Sequence, residues 1–135
     1  ADGALNGIAG ANILGNGSAT TSNLSAGTYN LANEVEFASL DAGTIAVTYV
    51  WYNLSTKAFV EWDQIYNTYY PWSLSGDPTA MDLDNIVTHE LGHAVGLGDL
   101  YNSCIEETMY GYADFGEMKK RTLNTGDIIG VNALY

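Results

Sequence analysis

A chain of 135 residues fits one domain with a modest core, and its 47% hydrophobic content, with 10 Tyr and 3 Trp, marks it as globular rather than disordered. Sixteen acids against four Lys plus Arg leave a net charge of −12, which repels nucleic acid and anionic membranes and excludes both as partners; the acidity itself reads as a solubility feature. No apolar run is long enough to span a bilayer, and Ala1-Asp2-Gly3 lacks the basic region and apolar core of a signal peptide; if the protein is secreted, its leader and any propeptide are already gone.

Residues 1–33 are rich in Gly, Ala, Asn, Ser and Thr, and the spacing of Gly3, Gly7, Gly10, Gly15 and Gly17 disfavours more than a short helical turn around Ala4–Leu14. Asn16, Asn23 and Asn53 each open an Asn-x-Ser sequon. Glu34–Leu40 alternates, with Val35 and Phe37 on one side, and predicts a short strand. After the turn Asp41-Ala42-Gly43, the β-branched and aromatic run Thr44–Tyr52 predicts a second strand. Asn53–Lys57 turns the chain, and Ala58–Asn67 returns as the antiparallel partner. Glu61 and Asp63 read as charges protecting an exposed sheet edge rather than as catalytic groups. Residues 68–80, with Pro71, Gly76 and Pro78, are turn-rich. Asp77, Asp82 and Asp84 are hard oxygen ligands suited to calcium, although helix capping accounts equally well for Asp82 and Asp84.

Leu83, Ile86, Val87, Leu91, Ala94 and Val95 fall at helical spacing and predict a helix capped by Asp82 or Asp84. His89 and His93 are the only histidines, and four residues apart they share one helix face. Two imidazole nitrogens so placed can reach one zinc ion at about 2.0–2.1 Å. Glu90 is rotated about 100° from His89, which sets its carboxylate beside the ion, where it can take a proton from water. This is the His-Glu-x-x-His pattern of zinc hydrolases. Gly96 suits a left-handed turn that ends the helix. With two histidines no three-histidine site can form in one chain, so Asp99, the first ligand-type residue after Gly96, is the candidate third ligand. The alternative is that it caps the turn. Residues 100–122 read as loop. Cys104, the sole cysteine, excludes an internal disulfide and reads as a buried inert thiol. Tyr110, Tyr112 and Phe115 are candidates for a pocket beside the ion or for a small lower core. Thr125 is the expected N-cap of a last helix whose apolar face is Ile128, Ile129, Val131 and Leu134.

His89–Asp99 resembles the extended zinc motif of metzincin proteases, His-Glu-x-x-His-x-x-Gly-x-x-His, with aspartate in the last position as in the snapalysin-like branch. Thr108-Met109-Tyr110 resembles the Met-turn, Ile45 through Trp72 resembles the strand pair before the active-site helix, and Leu123–Tyr135 is similar to the last helix of matrixin catalytic domains. The resemblance covers residues 44–135. It implies an α+β fold: a twisted mixed sheet, an active-site helix, a Met-turn and a C-terminal helix. It also implies one catalytic domain, with an upper subdomain over about residues 1–96 and a lower one over about 97–135. The long early helix of such domains is not evident in residues 1–43. The resemblance further implies a secreted, monomeric zinc endopeptidase. Zinc is held by His89, His93 and Asp99, Glu90 is the general base, and Met109 shapes the floor of the site. The second strand of the pair is the sheet edge facing the cleft, and a protein or peptide substrate binds there as an added extended strand. Tyr110, Tyr112 and Phe115 would then favour a large apolar or aromatic residue after the scissile bond. Two alternatives stay open: another zinc hydrolase, of aspzincin type or with Glu106, Glu107 or Glu117 as third ligand, and a non-catalytic metal-binding module. Glu90 argues against the second, because a closed structural zinc site needs no base.

Overall fold

The structure is a computed structural model that describes residues 24–135. These fall into two compact units, one ending at Tyr70 and the other running Pro71–Tyr135. The turn expected around Ala4–Leu14 and the sequons at Asn16 and Asn23 lie outside the described residues. The architecture is α+β with a mixed sheet and a C-terminal helix, as the resemblance implies.

In the first unit, β1 (Glu34–Ala38), β2 (Ala46–Tyr52) and β3 (Phe59–Asn67) form one sheet in the order β1-β3-β2. The expected hairpin is present: β2 pairs antiparallel to β3 from Ala46↔Tyr66 to Tyr52↔Phe59. β1 pairs parallel to β3 from Glu34↔Asp63 to Ala38↔Asn67. The strand expected at the edge is therefore central, and over Asp63–Asn67 both of its sides are taken. Glu61 and Asp63 do not guard an edge either, being only 1% and 0% exposed. Asp63 accepts the backbone N–H of Gly27 at 2.8 Å and of Glu34 at 2.9 Å, and Glu61 accepts those of Asn30, at 3.0 and 3.1 Å to its two oxygens, and Leu31. Buried carboxylates need donors, and here the irregular segment before β1 and the first residue of β1 supply them. Burial pushes the Asp63 carboxyl up, with the charges of Glu61 and Glu34 adding, against the two backbone hydrogen bonds. Buried Asn67, which nothing in the sequence singles out, donates to the carbonyls of Asp41 and Thr44 and accepts from the N–H of Leu40 and Tyr69, tying down the β1–β2 turn.

The second unit contains a short parallel pair, β4 (Trp72–Ser73) and β5 (Met81–Asp82), followed by α1 (Leu83–Ala94), a 3₁₀ turn at Lys119–Arg121 and α2 (Thr125–Leu134). It holds both the motif helix and everything after Gly96. Asp82 is the N-cap of α1, accepting from the Asn85 N–H at 3.0 Å. The same carboxylate takes Arg121 at Oδ1 (2.8 Å) and Oδ2 (2.5 Å), while Asp77 is engaged by Thr79. Calcium finds no support: among the described residues the one group arranged to hold a metal is His89, His93 and Asp99. Ile86, Leu91, Ala94 and Val95 form the buried side of α1. Gly96 adopts φ +99°, the left-handed conformation expected of it at the helix end.

Three expectations for the last third are corrected. Asn124, not Thr125, caps α2, with Asp127 accepting the Asn124 N–H at 2.9 Å. Of the predicted apolar face only Val131 is buried, while Ile129 is 63% exposed, because α2 packs through Val131, Asp127 and the bare backbone of Gly130 against Leu97. Cys104 is exposed, not buried, since residues 101–106 run along the surface and the Cys104 N–H is held by Asn102. No described helix is long and apolar enough to cross a membrane.

Candidate metal centre

α1 presents its two histidines one turn apart, with ring centroids 4.8 Å apart and planes at 89°. His89 Nδ1 lies 2.7 Å from the Thr108 carbonyl oxygen and His93 Nδ1 lies 2.9 Å from that of Leu97. A carbonyl only accepts, so each Nδ1 carries the proton and each Nε2 offers a lone pair, the tautomer a metal-binding histidine needs. Asp99 Oδ1 stands 3.2 Å from His89 Nε2 and 3.5 Å from His93 Nε2. Two lone pairs and a carboxylate oxygen converging on one point repel one another unless a cation lies among them. Ligand atoms about 2.0–2.1 Å from a tetrahedral centre are roughly 3.3–3.4 Å apart, so this donor set fits zinc in both chemistry and spacing.

The turn after the helix does two jobs at once. The Gly96 N–H bonds to the His93 carbonyl at 2.9 Å and that of Leu97 to the Gly92 carbonyl at 2.9 Å, folding the chain back on the helix end. The Leu97 carbonyl thereby reaches His93, and Asp99 is delivered beside both rings. The Asp99 carboxyl is held below its usual range, first by the His89 ring 3.2 Å away, with His93 and the Tyr101 hydroxyl acting in the same direction and burial against them. A metal cation at the same place acts in the same direction, keeping Asp99 ionised.

Further residues hold these three side chains in place. Tyr101 donates its hydroxyl to Asp99 Oδ2 at 3.1 Å, which pushes the Tyr101 phenol up. Its ring lies so close to Gly111 that a Cβ there would collide with it. Met109 is buried, and its sulfur occupies the space a side chain at Gly92 would need. Asp127 accepts the N–H of Thr108 at 2.7 Å and of Met109 at 3.1 Å, and on the other side Leu100 donates to the Met109 carbonyl at 2.8 Å. The turn so fixed aims the Thr108 carbonyl at His89.

Glu90, beside His89 on α1, is buried. The glutamates considered as alternative ligands are engaged elsewhere: Glu107 accepts the Asp127 N–H at 3.1 Å, Glu117 accepts from Asn85 at 3.2 Å, and Glu106 lies 3.8 Å from Lys119. Tyr110 and Tyr112 come together, with centroids 5.7 Å apart, joined by Tyr101 at 5.3 Å from Tyr112; Phe115 is about half exposed. Sequence reasoning missed Tyr101, Asp127, Asn85 and Lys120. For Asp127 a signal exists, because Asn124-x-x-Asp127 has capping-box spacing.

Residues 41–135 match the sequence profile of the matrixin peptidases. The chain belongs to the matrixin family. It is similar to two proteins of Arabidopsis thaliana: metalloendoproteinase 4-MMP, 39% identical over 56 residues, and metalloendoproteinase 2-MMP, 35% identical over 71 residues. The matched stretches cover 42% and 47% of this matrixin but only 16% and 18% of those relatives.

Proposed function

We propose that this matrixin is a zinc-dependent endopeptidase in which His89, His93 and Asp99 hold the metal and Glu90 is the general base. The observation that carries the reading is the convergence of the two Nε2 atoms and Asp99 Oδ1, with Glu90 next to His89 on the same helix. Membership of the family and the metalloendoproteinase names of its relatives support it. Zinc bound there supplies a Lewis acid that polarises the scissile carbonyl and makes water a nucleophile near neutral pH.

The chain's own residues do the rest. Glu90, buried beside His89 on α1, takes the proton of the attacking water and returns it to the leaving amine. The Thr108 and Leu97 carbonyls hold the imidazoles in orientation. Met109 shapes the floor under Gly92 without giving a ligand atom. The substrate is a protein or peptide bound in extended form, outside the cell, by a monomer. Over Asp63–Asn67 β3 already pairs with β1 and β2, so the reading does not use it there as the pairing strand. Tyr110, Tyr112 and Phe115 favour a large apolar or aromatic residue after the scissile bond.

The test is cleavage of a mixed peptide library by the purified chain, with metal content measured in parallel. Cleavage should stop with chelator and return with zinc. A chain loaded with one zinc that cleaves nothing would favour a non-catalytic module, and a profile dominated by charged residues after the scissile bond would refute the pocket assignment.

A further inference from the structure

Lys120 is an unusual residue for its position. It is 1% exposed, in a chain with four cationic side chains in all. Its backbone N–H donates to Asn85 Oδ1 at 2.7 Å, one helical turn before His89. Its ammonium donates to the Tyr112 carbonyl at 2.5 Å, lies 3.4 Å from Glu117 Oε1 and sits 5.9 Å from the centre of the Tyr110 ring. Glu117 is itself fixed by Asn85 at 3.2 Å. An apolar side chain would fill such a space without desolvating a charge, so what the ammonium adds is direction: it holds one carbonyl at one place.

From that carbonyl a continuous path leads to the metal centre. The Tyr112 ring meets the Tyr101 ring edge-on at 5.3 Å, and Tyr101 donates its hydroxyl to Asp99 Oδ2. The Leu100–Tyr110 bridge holds the other side of the same segment. We infer that Lys120 is a positioning residue for the metal centre, acting on Asp99 through Tyr112 and Tyr101. Burial pushes the Lys120 ammonium down and Glu117 works against it, as expected of a charge kept for one partner set. The inference rests on the zinc reading above.

The experiment measures zinc affinity in the full chain by competition with a chromophoric chelator. Absorption of the cobalt-substituted protein reports the ligand geometry. Wild type should bind one zinc. Lys120→Met and Tyr112→Leu should each weaken zinc about 2- to 30-fold and alter the cobalt spectrum. The double variant should be no weaker than the weaker-binding single, because both act through one path. Wild-type affinity in either folded single, or losses that simply multiply in the double, overturns the inference while leaving the zinc site intact. Should Lys120→Met not fold, Lys120→Arg, which keeps the charge but moves the donor away from the Tyr112 carbonyl, carries the test alongside Tyr112→Leu at a position 63% exposed, with the same non-additivity expected. Failure of wild type to bind zinc would remove the zinc reading and this inference together.

Discussion

Replacing Asp127 with Asn asks whether the last helix holds the metal centre in shape. Asp127 is 3% exposed and accepts three backbone N–H groups, from Thr108 at 2.7 Å, Met109 at 3.1 Å and Asn124 at 2.9 Å. The amide oxygen of Asn can keep at most two, and its NH₂ group would face a donor. One buried N–H is then orphaned, at about 1–3 kcal/mol, and the others lose the charge that makes such a bond contribute about 1.5–3 kcal/mol. Taken together and discounted for relaxation, the loss should be about 3 kcal/mol, or roughly 10 °C in Tm for a chain of this size. The same change loosens the turn whose Thr108 carbonyl orients His89, so zinc affinity should fall ~10- to 100-fold. Thermal melts with and without zinc, together with chelator competition, measure both. A Tm within about 2 °C of wild type and unchanged zinc affinity would show that the turn at Thr108–Met109 stands without α2.

Glu90→Gln should keep zinc and lose ~10²- to 10⁴-fold in kcat, because the amide cannot take the proton; activity within a few-fold of wild type would sink the assigned role. Asp99→Ala should lose most zinc affinity, leaving two protein ligands, and full occupancy in a metal assay would return Asp99 to the role of a turn cap. Gly92→Ala should disturb Met109, whose sulfur fills the space beside it, and lower Tm; an unchanged melting curve would mean that the turn gives way freely. The Asp82 carboxyl is held below its usual value chiefly by its Arg121 hydrogen bond. Its contribution to stability is therefore present above the unfolded value near pH 4 and is lost as pH falls through the folded value. Urea unfolding of Arg121→Met should show a shallower loss below about pH 4 than wild type; parallel curves would contradict it. Asp63 contributes with the opposite sign but equally in both proteins.

What the sequence made legible was local. Helical spacing, the His-Glu-x-x-His order and Gly96 depend on neighbours within a turn or two, and α1, its Asp82 cap and its left-handed end follow. The β2–β3 hairpin is likewise a matter of alternation and one turn. What stayed hidden depends on partners far along the chain. Glu61 and Asp63 look like edge charges until β1 is seen to pair parallel with β3, placing both carboxylates under the N–H groups of residues 27–34. Nothing in Lys119-Lys120-Arg121 marks the middle lysine as buried; only the 3₁₀ turn sends it inward. Cys104 follows the general tendency of thiols to be buried only if its loop is inside, and that loop is not.

The two imidazoles are oriented by different means, and this bears on how the site forms. His93 takes its carbonyl from Leu97, four residues on, so its orientation comes with the helix end. His89 takes its carbonyl from Thr108, nineteen residues on, and Thr108 is held by Asp127, a further nineteen. The orientation of His93 is thus local, while that of His89 waits on the segment through α2. The unfolded chain cannot present His89 and Asp99 together at the separations seen here, so the site exists only when Pro71–Tyr135 has folded. Whatever binds the three donors then stabilises that whole unit rather than the helix alone, by about 2.7 kcal/mol at a hundredfold excess over its Kd. On the proposed reading, a metal at these donors therefore stabilises the docking of the Thr108–Asp127 segment and not the helix alone.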